Sequence, residues 1–229
     1  MKILVANWKM NGDIEFTKNF LKTIGSVKTE NKVIVCPPFP LLYEFENFPY
    51  SLGAQNCSDK KCGAFTGEVS PLLLKQFNCQ YVIIGHSERR RIFKESDELI
   101  FEKYKTLIEL DIIPIVCIGE TEEERSKWRE ILLTQLDKIR NQENLSKSII
   151  AYEPVWSIGS GKTPTDKEIH EALSFIREVT HSKCPTLYGG SVNIKNIENI
   201  LKISSVDGVL VGGASLKVDE FSRMIQYSI

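Results

Sequence analysis

Ile112-Ile113-Pro114-Ile115-Val116-Cys117-Ile118 is apolar from end to end, and Gly119 followed by the charged Glu120 closes it. A strand with one wet face alternates apolar and polar side chains. A run without alternation belongs to a strand covered on both faces, as in a parallel sheet flanked by helices. The pattern recurs at Ile3–Ala6, Val33–Cys36, Tyr81–Ile84, Ser148–Tyr152, Thr186–Tyr188 and Gly208–Val211, with Leu52–Asn56 as a weaker eighth. Amphipathic stretches lie between the runs. Phe16, Phe20, Leu21 and Ile24 share one helical face, and Ile100, Phe101, Tyr104, Leu107 and Ile108 another. Trp128, Ile131, Leu132, Leu136 and Ile139 form a third, and Ile169, Ala172, Leu173, Ile176 and Val179 a fourth. Thr121-x-x-Glu124 and Thr165-x-x-Glu168 read as capping boxes that start helices.

Strand then helix, repeated through 229 residues, allows roughly 29 residues per unit, the size of a βαβ repeat. No Pro/Ser-rich linker divides the chain, so the expectation is α/β, one domain over residues 1–229. A closed (β/α)8 barrel and an open doubly wound sheet both satisfy the pattern. Near-even units without a dominant Gly-rich fingerprint at the N-terminus favour the barrel.

Composition narrows function by exclusion. Lys and Arg number 29 against 30 Asp and Glu, a formal net charge of −1, without the basic excess of a nucleic-acid or acidic-membrane binder. No apolar run is long enough to span a membrane, and the N-terminus turns polar after four apolar residues, too soon for a leader. A cytoplasmic protein is expected. None of the six cysteines forms a C-x-x-C pair, and Cys36 and Cys117 sit within apolar runs as small hydrophobes. His86, His170 and His181 are too scattered for a clear metal motif.

Polar residues collect just after the apolar runs: Asn7 and Lys9 after the first, His86 after Tyr81–Ile84, Glu153 after Ser148–Tyr152, Ser191 near Gly189-Gly190, and Gly212-Gly213 after the last. In a barrel these positions share the C-terminal rim, where barrel enzymes keep their chemistry. A carboxylate, an imidazole, an ammonium and two Gly turns then converge, a set suited to removing a proton beside a carbonyl in a phosphorylated substrate. Singly, each has an ordinary meaning: a surface Glu before Pro, a core histidine, a solvated lysine, two tight turns. Their joint placement is what points to a site. Gly159-Ser160-Gly161-Lys162-Thr163 resembles a nucleotide phosphate loop, but that loop needs Gly where Trp156 stands. Asn56-Cys57-Ser58 and Asn144-Leu145-Ser146 match a glycosylation pattern that carries no weight without a leader.

The segments 7–12 (NWKMNG), 63–68 (GAFTGE), 84–90 (IGHSERR), 117–120 (CIGE), 151–163 (AYEPVWSIGSGKT), 188–192 (YGGSV) and 207–216 (DGVLVGGASL) occur in this order. Together they resemble the triosephosphate isomerase family over nearly the whole chain. The resemblance implies a TIM barrel, a cytosolic homodimer, no cofactor, and interconversion of dihydroxyacetone phosphate with glyceraldehyde 3-phosphate in glycolysis and gluconeogenesis. It further implies Glu153 as base, His86 as neutral electrophile, and Asn7 and Lys9 as substrate ligands. Residues 154–164 would form a lid whose Gly159 amide meets the phosphate, with Ser191, Gly212 and Gly213 completing the cradle and Thr66 at the tip of a dimer loop.

The chain also departs from the family pattern. It is shorter than is typical around the fifth and sixth helices. Ser157 and Ser160 stand where Ala and Thr are usual, and Pro164 either stiffens the far lid hinge or starts the next helix. Two competing readings are another phosphate-binding barrel enzyme, which would not need Lys9, His86 and Glu153 together, and an inactive barrel serving as an interaction protein, which would lack the base or an intact lid.

Overall fold

The computed structural model describes residues 1–158 and 162–227. β1 (Ile3–Asn7), β2 (Lys32–Cys36), β3 (Ser51–Ala54), β4 (Cys79–Ile84), β5 (Ile113–Ile118), β6 (Ile149–Tyr152), β7 (Thr186–Tyr188) and β8 (Gly208–Val211) pair in chain order. All pairs are parallel, and β8 closes on β1, with Ile3 opposite Gly208 and Ala6 opposite Val211. The barrel, and not the open sheet, is the fold.

The unbroken apolar runs follow from that closure. Within β1, Val5 points into the barrel with Ile34, Ile83, Ile115, Ala151 and Leu210, while Leu4 and Ala6 face the surrounding helices. Each strand therefore buries both faces. Burying a Val, Leu or Ile side chain contributes roughly 1.5–3 kcal/mol, so both layers favour the closed form. Cys36 and Cys117 lie in the inner layer as apolar filler. Cys57, Cys79 and Cys184 are also buried, Cys62 is exposed, and all six thiols are free.

The outer layer comprises α1 (Ile14–Gly25), α2 (Pro71–Gln76), α3 (Ser87–Ile92), α4 (Asp97–Glu109), α5 (Trp128–Leu136), α6 (Asp166–Val179), α7 (Ile197–Lys202) and α8 (Val218–Met224). Their buried residues include Phe20 and Ile24 of α1, Ile100, Tyr104 and Leu107 of α4, and Ile169, Ala172, Leu173 and Ile176 of α6. After β2 the connection is a 3-10 helix, Phe39–Phe45, entered through Pro38 and carrying Pro40. Pro40 stands in its first turn, where a missing N–H leaves no intrahelical bond unmade.

Two details differ from the sequence reading, and a third has no counterpart in it. Leu52–Asn56 is too long, because β3 ends at Ala54. The Gln55 side chain instead donates to the Cys36 and Lys9 carbonyls, and Asn56 accepts from Lys103. At Thr165 both halves of the capping box form, and α6 follows. At Thr121 only the return half forms, Glu124 Oε2 accepting the Thr121 N–H at 2.9 Å, and a turn and a 3-10 helix precede α5, which begins at Trp128. Finally, Lys103 is buried in α4, where Asn56 Oδ1 (2.8 Å) and Glu95 Oε1 (2.7 Å) take its ammonium.

Candidate active site

Asn7 ends β1 and sets up the loop that carries Lys9. Its Oδ1 accepts the Lys9 N–H at 3.0 Å, and Gln55 Nε2 donates to the Lys9 carbonyl at 2.8 Å. Lys9 consequently stands in the left-handed region, with φ 54°, a conformation that costs a non-glycine residue on the order of 1–2 kcal/mol. Trp8, fully buried, anchors the same loop by edge contacts to Phe16, Phe20 and Phe45 at centroid distances of 5.0, 4.8 and 5.7 Å. The strain thus serves to aim one ammonium, whose Nζ lies 2.6 Å from Glu88 Oε1.

His86 follows β4 and is the N-cap of α3, its Nδ1 facing the Glu88 N–H at 3.2 Å. That N–H can only donate, so Nδ1 accepts and the ring proton sits on Nε2. Glu153 follows β6 and is 2% exposed. Its Oε1 is 3.1 Å from His86 Nε2, and its Oε2 accepts the Ser87 N–H at 3.0 Å. Burial alone would raise the Glu153 carboxyl, but His86, the Ser87 amide and the Lys9 charge outweigh it and hold the pKa below the usual carboxylate value. Burial likewise works against a charged imidazole at 86, yet the Glu153 and Glu88 carboxylates prevail, so the ring lies above its ordinary value while Glu153 touches it.

These groups line a cavity of about 260 Å³ at the C-terminal end of the barrel, shared by Asn7, Lys9, His86, Glu153, Ser191, Gly212 and Gly213. A Cβ at Gly212 would come 3.5 Å from Lys9 Cε, and one at Gly213 would meet nothing within 4 Å, so the main chain is open to a ligand there. Ser191 Oγ donates to the Ser157 carbonyl at 2.8 Å, tying the start of residues 154–164 to the turn after β7. That segment is further held by Trp156 Nε1 to Glu120 Oε1 at 2.8 Å and by the Arg125 guanidinium 3.9 Å over the Trp156 ring. On its far side Lys162 lies 3.8 Å from Glu122. Gly159, with Ser160 and Gly161, lies outside the described residues.

Six of the sequence-derived residues within reach of a ligand therefore come together with Asn7: Lys9, His86, Glu153, Ser191, Gly212 and Gly213. Thr66 does not line this cavity and sits on an exposed turn, where the Glu68 N–H donates to the Phe65 carbonyl. Sequence reasoning missed Glu88, which contacts both Lys9 and His86, and Gln55, which fixes Lys9. Glu88 stands two places after His86 in a quoted motif; Gln55 carries no local signal. Among the described residues no group of three or more His, Cys, Asp or Glu could hold a metal ion. Among them, too, no helix is long and apolar enough to cross a membrane.

The family model for triosephosphate isomerase matches residues 2–228. The triosephosphate isomerase of Dictyoglomus turgidum is 42% identical, with 98% of each chain covered. That of Dehalococcoides mccartyi is 44% identical over 96% of this chain and 93% of its own. The Clostridium tetani enzyme is 43% identical over 98% and 96%.

Proposed function

The chain belongs to the triosephosphate isomerase family, the isomerases that interconvert dihydroxyacetone phosphate and glyceraldehyde 3-phosphate, and from that premise we propose that Glu153 is the base that moves the proton. The observation that carries this reading is the buried Glu153 carboxylate, 3.1 Å from His86 Nε2 in a cavity also lined by Lys9.

Isomerisation shifts a proton between adjacent carbons, so one carboxylate suffices, first as base and then as conjugate acid. A positioned group of this kind contributes roughly 10²–10⁴-fold. Glu153 removes the proton from C1 of dihydroxyacetone phosphate, and negative charge develops on the enediolate oxygens. The His86 Nε2–H donates to those oxygens and the Lys9 ammonium lies beside them, a preorganised arrangement in a site little open to water. Glu153 then returns the proton at C2. The lowered Glu153 pKa fits this order, since the carboxylate is ionised before the reaction.

Ser191 and the main-chain N–H groups at Gly212 and Gly213 are the proposed phosphate ligands, joined by Gly159 from a lid at 154–164. Peptide N–H groups at glycine turns reach a phosphate without a Cβ in the way. A homodimer in the cytoplasm is part of the same proposal. It is supported by the exposed Met10 (96%) beside Lys9 and by the exposed Phe65 (46%) beside Thr66, two apolar side chains that a partner would cover. A coupled spectrophotometric assay on glyceraldehyde 3-phosphate tests the reading: turnover in the wild type and its loss in Glu153→Gln are expected, and an active Glu153→Gln enzyme would remove Glu153 as base.

A further inference from the structure

The ladder between β5 and β6 ends with Ile118 opposite Tyr152, and the Glu153 N–H makes the next bond, to the Ile118 carbonyl at 2.7 Å. The Val155 N–H then bonds the Glu120 carbonyl at 3.0 Å, and between these two rungs the peptide groups of Gly119 bond to no strand. One side chain takes both. Gln135 Oε1 accepts the Gly119 N–H at 2.8 Å, and Gln135 Nε2 donates to the Gly119 carbonyl at 3.0 Å. A flat amide bonded to the N–H and C=O of one residue fixes that residue's orientation as a strand would.

Gly119 is also in direct main-chain contact with the base. A Cβ at 119 would run into the Glu153 carbonyl, so the two backbones pack with no side chain between them. Gln135 is rooted in α5 between Leu132 and Leu136, both fully buried, so its own starting point is fixed. It does not line the 260 Å³ cavity. It lines a second cavity of about 250 Å³ that has Gly119 in its wall and shares Glu153 with the first.

We propose that Gln135 is a positioning residue for the isomerase reaction: through Gly119 it sets the place of the Glu153 main chain, and with it the distance from carboxylate to substrate carbon. This rests on Glu153 being the base. A misplacement of 1 Å can cost about 10²-fold, so a few tenths of an ångström should cost about tenfold. Substrate affinity, set by the phosphate ligands on other loops, should not follow.

The test uses the full chain and two variants, with kcat and KM for glyceraldehyde 3-phosphate measured beside the melting temperature. Gln135→Met keeps the length and loses both hydrogen bonds; Gln135→Glu keeps the acceptor and loses the donor. The expected result is a kcat about tenfold lower for Met, an intermediate value for Glu, and a KM unchanged within about twofold for both. In a Glu153→Asp background, where the base is already displaced, Gln135→Met should cost clearly less than it does alone. Unchanged kcat with a lowered melting temperature would overturn the proposal, because a merely structural amide would behave so. A loss confined to KM, or full multiplication of the two losses, would overturn it as well. If the Met variant does not fold, Gln135→Glu decides alone by the same kcat criterion. Near-normal turnover in Glu153→Gln would defeat the base assignment itself, a result distinct from any outcome at Gln135.

Discussion

Shortening Glu153 to Asp keeps the charge and moves it. Loss of one methylene draws the carboxylate back by about 1.5 Å, one carbon–carbon bond. The present contacts, 3.1 Å to His86 Nε2 and 3.0 Å to the Ser87 N–H, would then open beyond hydrogen-bond range. The substrate carbon would be missed by the same amount. Since 1 Å of misplacement can cost about 10²-fold, kcat should fall by that factor or more, about 2.7 kcal/mol in the barrier. The proposed phosphate ligands Ser191, Gly212 and Gly213 are untouched, so KM should change little. A second consequence follows from burial. The retracted carboxylate stays buried but loses the His86 and Ser87 interactions that hold its pKa down, so its pKa must rise. The acid limb of the kcat–pH profile should move to higher pH. Coupled assays from pH 5 to 9 measure both effects. Near-normal kcat, or a loss seen only in KM, would refute the reasoning.

Glu153→Gln removes the largest influence that raises the His86 pKa, leaving burial and Lys9 against the Glu88 carboxylate, so NMR should find the ring titrating lower than in the wild type. Because the native pKa is raised, protonated His86 stabilises the wild-type fold below the unfolded value of about 6.5, and this contribution is lost as pH rises through the native value. The Gln variant should lack that low-pH contribution, and an identical pH dependence of melting would count against the pairing. Thr66→Arg, a bulky charge on the exposed turn, is expected to give monomers of low activity; sedimentation beside the assay checks this, and fully active monomers would exclude the dimer role. Pro164 is buried directly before the N-cap Thr165, in the position that commonly packs over the buried Ile169 one turn on. Pro164→Ala is therefore expected to destabilise the fold by about 0.4–1 kcal/mol through the unfolded chain and to leave the ratio of inorganic phosphate to isomerised product unchanged. A raised ratio would give Pro164 to the lid instead.

The barrel was legible because closure buries both faces of each strand, which erases alternation and leaves runs such as Ile112–Ile118 in plain view. The end of β3 was not, since Gln55 and Asn56 are polar residues whose partners, Lys9, Cys36 and Lys103, are distant in sequence. Thr121 and Glu124 have the spacing of a capping box, but spacing does not say whether a helix follows, and here a turn does. Glu153, His86 and Lys9 could be read because each sits just past a strand end, where topology alone brings them together. Glu88 and Gln135 act from helices, at positions whose orientation depends on how α3 and α5 lie against the barrel. Pro164 was ambiguous in sequence between hinge and helix start, and its burial beside a complete capping box points to the helix.

In the proposed mechanism a proton leaves the substrate for Glu153 and returns to the neighbouring carbon. Converting dihydroxyacetone phosphate in D2O, with the product analysed by NMR or mass spectrometry, follows that proton directly. A carboxylate that holds it while the enediolate exists can exchange it with solvent, so deuterium at C2 of glyceraldehyde 3-phosphate is expected from the wild type, and negligible product from Glu153→Gln. Deuterium incorporation by Glu153→Gln at the wild-type rate would contradict the assignment of Glu153 as the base.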